Sequence, residues 1–152
     1  MKLDAPGITL DLPPGWEAEV DGGSGQPDPD APRPRTPRTH IANFPLRADR
    51  GDYGSFAVEE MPRGGALICL LEEAAPAAGS RLHGLDGVPR LSASDFSPDA
   101  MQRPQAGRSG AQAFFHVGDR AFVLYVVIAE RLNRAAQVDE VNRVLAGVTI
   151  HP

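Results

Sequence analysis

Ala121-Phe-Val-Leu-Tyr-Val-Val-Ile128 is the longest apolar run in the sequence. It is rich in β-branched and aromatic residues and holds no Gly or Pro, which favours a strand over a helix of equal length. Alternation sends Phe122, Leu124, Val126 and Ile128 to one face and Ala121, Val123, Tyr125 and Val127 to the other. Both faces are apolar, so the run predicts a central strand covered on both sides.

The flanks extend this reading. Gln112-Ala-Phe-Phe-His-Val117 predicts a neighbouring strand, and Gly118-Asp119 the tight hairpin turn between them. After Ile128, Asn133 is placed to cap a helix over Arg134–Ala146. Val138, Val141, Val144 and Leu145 recur at three- and four-residue spacing, the mark of one buried helical face. Gly147 is expected to end that helix in the left-handed conformation, and Val148–Ile150 to form a last short strand.

Farther out, Ile8-Thr-Leu-Asp-Leu12 and Trp16-Glu-Ala-Glu-Val20 alternate on either side of Pro13-Pro14-Gly15, which predicts an N-terminal hairpin with Trp16 packed at its end. His40–Leu46 reads as a short strand, with Pro45 at its end or on a sheet edge, and Arg47–Asp52 as a turn. Ser55–Met61 and Ala66–Glu72 read as a hairpin around Pro62-Arg-Gly-Gly65. Between Glu73 and Gln112 the pattern weakens. Ala74–Ala78 allows a helical turn, Leu91–Phe96 a short strand, and Ser97 the cap of a brief helix from Pro98 to Gln102. The expected fold class is α+β, one domain over residues 1–152. Its mostly antiparallel sheet has about six to eight strands. The C-terminal helix would cover one face and the Glu73–Gln102 region the other.

Residues 21–38 differ from the rest. They hold three glycines and five prolines with almost nothing apolar, the composition of a mobile loop. Its second half, Pro32-Arg-Pro-Arg-Thr-Pro-Arg38, is basic.

Hydrophobic residues at 41% and charged residues at 23% fit an ordinary globular chain. A net charge of −5 argues against a nucleic-acid or anionic-membrane partner, which needs a basic face. The single cysteine, Cys69, lies in an apolar run and reads as a buried small hydrophobe. No run approaches the ~20 apolar residues of a membrane span, and the opening residues carry no long apolar segment, so the cytoplasm is the expected location. Lys2 is the only lysine among abundant Arg, Ala, Gly and Pro, a bias of GC-rich bacterial genomes.

The four histidines, His40, His83, His116 and His151, show no paired metal spacing, so neither a metal nor another cofactor is expected. Gly107-Arg-Ser-Gly-Ala111 departs from the G-x-S-x-G elbow at its last position, which leaves Ser109 as a turn residue. The doublets Glu59-Glu60 and Glu72-Glu73 each send one member toward solvent on a strand, so they do not read as a catalytic carboxylate pair. Two candidate sites remain. Arg33, Arg35 and Arg38 form a basic loop on an acidic chain, suited to an acidic protein partner. His83, Asp86, Arg90, Asp95 and His116 could converge on a pocket within residues 79–116, suited to a small molecule or a reaction. The leading expectation is a non-catalytic protein-interaction or assembly module, with a small-molecule binder or enzyme as the alternative.

The opening Ile8-Thr-Leu-Asp-Leu-Pro-Pro-Gly-Trp16 resembles the strand and P-x-G-W that begin PsbP-like and Mog-like proteins. The close, an Arg120-Ala-Phe-Val-Leu-Tyr125 strand, a loop, and a helix running through Val144-Leu145 into a terminal strand, resembles the same superfamily. The resemblance spans about the first and last fifths of the chain. It implies an α/β/α sandwich around a central antiparallel sheet and an accessory or binding role. Gly147-Val148 stands where an aromatic often follows the last helix, and no functional residue carries over.

Overall fold

The computed structural model describes residues 1–21, 37–46, 54–73, 78–101, 104–130 and 133–152. In chain order the elements are β1 (Lys2–Ala5), β2 (Ile8–Asp11), β3 (Glu17–Asp21), β4 (Arg38–Ala42), α1 (Ser55–Glu59), β5 (Ala66–Glu73), β6 (Leu85–Asp86), β7 (Arg108–Val117), β8 (Arg120–Ala129), α2 (Arg134–Ala146) and β9 (Val148–Ile150). Single 3-10 turns occupy Arg81–His83, Ala93–Asp95 and Pro98–Ala100.

The fold is α+β with two sheets. The larger runs β3-β4-β5-β8-β7-β6, and the smaller runs β1-β2-β9. All pairings are antiparallel except β6 with β7. β8 is central, as its two apolar faces require, and every residue from Ala121 to Ala129 is buried. It pairs with β7 through the turn Gly118-Asp119. Gly118 has φ +58° while no described non-glycine residue has positive φ, the pattern of a hairpin turn with glycine at its first central position.

The two faces of β8 enter separate cores. Phe122, Leu124, Val126 and Ile128 pack with Ile41, Ile68, Leu70 and the α2 residues Val138, Val141, Val144 and Leu145. Ile8, Leu10, Val148 and Ile150 of the smaller sheet join them, and Trp16 packs half-buried at the margin. Each such fully buried aliphatic contributes about 1.5–3 kcal/mol. On the opposite face Tyr125, Val127, Leu67 and the buried thiol Cys69 meet Phe44, Ala57, Val58, Met61 and Met101.

Several expectations are corrected. Ser55–Met61 is not the partner strand of β5. Both edges of β5 are taken, by β4 from Ala42↔Leu67 and by β8 from Ala66↔Ile128. Residues 55–59 instead form α1, and Ala57, Val58 and Met61 turn buried side chains onto the second face. Arg108 holds the segment there, donating to the Val58 carbonyl at 3.2 Å and the Met61 carbonyl at 2.8 Å. The Glu73–Gln102 region was expected to cover this face. Its Leu91 and Phe96 join the α2 side instead, and of its described residues only Met101 reaches the other.

The N-terminal hairpin is also divided. Pro13 to Trp16 does turn the chain, with the Trp16 N–H on the Pro13 carbonyl at 3.3 Å. Yet β2 pairs with β1 and β9, while β3 pairs with β4 in the other sheet. Leu91–Phe96 holds a 3-10 turn rather than a strand. Ser97 caps the following turn as expected, accepting the Asp99 N–H at 3.1 Å. Asn133 likewise caps α2 through the Ala136 N–H at 3.2 Å. Gly147 is not left-handed: its φ is −88°. Ser109 is not a turn residue but a buried position in β7, donating to Glu130 Oε1 at 3.1 Å. The expected turn at 47–52, and residues 74–77 and 102 of the expected helical segments, lie outside the described residues.

Candidate functional site

A cleft of about 510 Å³ opens where the 3-10 turn Arg81–His83, the loop through Pro89 to Leu91, and Asp95 face the middle of β7 at Gln112, Ala113 and Phe114. Leu82 and Leu85 stand on its rim. They are 61% and 55% exposed, and among the described residues the only other exposed large hydrophobic is Met1.

The sheet edge explains the floor of the cleft. β7 is an outer strand along most of its length. Ser97 bridges it at Gly110, and the two residues of β6 pair with Phe115 and His116. No described residue pairs with the outer edge between those points. Burial follows the same boundary: Ser109 to Ala111 are buried, Gln112 is exposed, Ala113 and Phe114 are half-buried, and Phe115 is buried again. A break in cover within a strand leaves backbone groups open to water.

One wall is pinned by His83. Ser80 Oγ accepts the His83 backbone N–H at 3.3 Å and lies 2.8 Å from His83 Nδ1. The one hydroxyl thus ties both the backbone and the ring of His83 to its own turn. Glu73 Oε2 is 2.5 Å from Nε2 without the alignment of a hydrogen bond. The ring meets Phe114 edge to face at 5.4 Å. His116 Nδ1 donates to the His83 carbonyl at 2.6 Å, which fixes its tautomer. Its Nε2 faces Asp86 Oδ1 at 3.9 Å, and that carboxylate is 85% exposed and well screened.

Ser80, His83 and Glu73 thus have the composition of a nucleophile–base–carboxylate relay but not its arrangement. Ser80 Oγ is engaged in capping its own turn, His83 is buried, and the carboxylate is out of line. The set fastens the turn to β5 and β7. Among the described residues no group of three or more His, Cys, Asp or Glu is placed to hold a metal.

The second wall is fixed from α2. Asn142 is buried and holds Leu91 through both backbone groups, accepting its N–H and donating to its carbonyl at 2.8 Å each. Asp95 Oδ2 accepts the Ser92 N–H at 2.7 Å, closing the next turn. Arg81 and Arg90 are exposed on the cleft and make no hydrogen bond or ion pair among the described residues.

Of the five pocket residues expected from sequence, Arg90 and Asp95 therefore line the cleft. His83 lies behind its wall, and His116 and Asp86 lie beside it at the β6–β7 pairing. Arg81, Leu82, Leu85 and the β7 edge were not anticipated. The only sequence trace was two leucines in a glycine-rich polar stretch without periodicity. Arg38 is not in the basic loop but in β4, opposite Asp21 of β3. Arg33 and Arg35 lie outside the described residues. Comparison with protein-family models, curated proteins and solved structures finds no match.

Proposed function

We propose that this chain is a non-catalytic binding module that receives its partner in the cleft on β7, in a cytoplasmic setting. The observation that carries the reading is the uncovered edge at Gln112–Phe114, rimmed by two exposed leucines and by two arginines that have no partner among the described residues. Exposed apolar side chains beside edge backbone groups left to water form a ready template for a partner. Catalysis would need polar side chains preorganised about a reacting atom. Apart from Arg81, Arg90 and Gln112, the polar side chains here cap turns or join walls, which supports binding over turnover. The resemblance of the chain's two ends to PsbP-like and Mog-like accessory proteins points the same way, and with it the sandwich architecture of that superfamily.

The basic loop was the other candidate surface. With Arg38 held in β4, it retains only Arg33 and Arg35 of its three arginines, and the cleft is the better-supported surface. The test is a nitrogen-15 spectrum of the full chain titrated with pools of short peptides and small metabolites. Shifts centred on Leu82, Leu85 and Gln112–Phe114 are expected. Shifts confined to other surfaces would overturn the assignment of the cleft. A hydrolytic turnover removed by Ser80→Ala or His83→Gln, with folding retained, would overturn the non-catalytic reading.

A further inference from the structure

We infer that the cleft captures the C-terminal end of a partner protein as a short added strand; the inference rests on the binding reading above. It begins with backbone parity. β7 keeps unbroken register with β8 from Arg108 to Val117, so alternate residues turn their N–H and C=O groups outward. Gly110 marks the parity, exchanging both of its backbone groups with Ser97 at 2.9 and 3.0 Å. His116 has the same parity, its carbonyl accepting the Gly87 N–H at 2.8 Å. Gln112 and Phe114 share it. The Gln112 N–H and C=O and the Phe114 N–H point into the cleft, where no described residue bonds them, while the Phe114 C=O takes the Leu85 N–H in the β6–β7 pairing. An extended peptide is the ligand whose donors and acceptors repeat at that spacing.

The gap selects a chain end over a through-going strand. Ser97 closes it at Gly110 and β6 closes it from the Phe114 carbonyl onward. The open positions 111–114 span only about 13 Å at ~3.3 Å per residue. A strand lying in the sheet plane must stop within that length, and a C-terminus does so with a carboxylate. Arg81 and Arg90 supply the complementary charge on a chain whose net charge is −5. Asp95, the one carboxylate on the lining, is already occupied by the Ser92 N–H. A guanidinium can grip a terminal carboxylate with two parallel bonds. Leu82 and Leu85 then offer an apolar seat for a hydrophobic residue near the peptide's end.

The experiment uses the full chain and N-acetylated pentapeptide pools ending in Leu, Val, Ile or Phe, each prepared with a free and with an amidated C-terminus. Free-acid pools are expected to shift the Gln112 and Phe114 amides and to slow their hydrogen exchange. Amidation, or the Arg81→Gln/Arg90→Gln double variant, is expected to weaken binding by about tenfold or more. Both arginines are exposed and have no partner among the described residues, so the double variant should melt as the parent does. Equal binding of the amidated pools overturns C-terminal capture, as does binding that leaves the two edge amides unprotected. If small molecules alone shift Leu82 and Leu85, the peptide inference fails while the cleft remains a binding site. If no probe of either class reaches the cleft, both readings fail.

Discussion

Gly147 has φ −88° and ψ 1°, a conformation open to any residue, so its need is for space. A Cβ there would overlap the Asp11 carbonyl oxygen, because Asp11 donates to the Gly147 carbonyl at 2.8 Å and draws the two backbones together. Gly147→Ala should therefore cost about 1–3 kcal/mol, read by urea denaturation, through forced separation of α2 from the smaller sheet. The sequence marks the right residue at the helix end, but the reason lies in a contact across the fold. Arg120 illustrates the same limit. Its guanidinium grips both Glu72 oxygens at 2.8 and 2.9 Å, and its Nη1 reaches the Gly7 and His151 carbonyls at 2.8 Å each. The hydrogen bond to Glu72 and its charge raise the arginine above its ordinary value, against the opposing effect of burial. A raised cation contributes stability that is fully present below the unfolded value and is lost only as pH climbs past the folded one. This clamp consequently holds throughout the neutral range, and deprotonation of Arg120 should add no slope to a melting profile taken from pH 6 to 9.

At the scale of elements, β8 was legible because its composition and its position agree. A run apolar on both faces has no stable place except the middle of a sheet. Val126→Asp would strand a carboxylate in a fully buried site and should cost several kcal/mol, enough to send the chain to the insoluble fraction. α1 was not legible because Ser55–Met61 alternates as well as a strand does. What decides against the strand is that β4 and β8 already occupy both edges of β5, a fact of global pairing that no local window contains. The cleft divides in the same way. Arg90 and Asp95 could be anticipated as polar groups in a loop, whereas a break in edge cover at Gln112–Phe114 belongs to the backbone and leaves no mark on side-chain chemistry. Asn142 was hidden because one polar residue on an apolar helix face reads as noise. Asn142→Leu should leave the Leu91 N–H and C=O unpaired, cost about 2–5 kcal/mol in denaturant, and speed amide exchange at Leu91. Unchanged exchange there would show that the wall is held by other means.

For the whole molecule, β3 and β4 already stand side by side to the last pair, Asp21↔Arg38. A two-residue Asn-Gly turn in place of residues 22–37 should leave the melting temperature unchanged, since such a turn joins antiparallel neighbours directly. A large drop would mean that the removed residues contribute to packing. The smaller sheet makes the opposite demand on the chain. β2 sits between β1 and β9, and Thr9 lies beside His151, 142 positions away in sequence. A ribosome emitting about 5–20 residues per second would need some 7–30 s to deliver the second after the first. Through that interval the strand carrying Ile8 and Leu10 has left the exit tunnel with one of its two neighbours not yet synthesised. The smaller sheet therefore cannot close until a strand made some 142 residues later arrives, and until then Ile8 and Leu10 lack one of the neighbours that bury them.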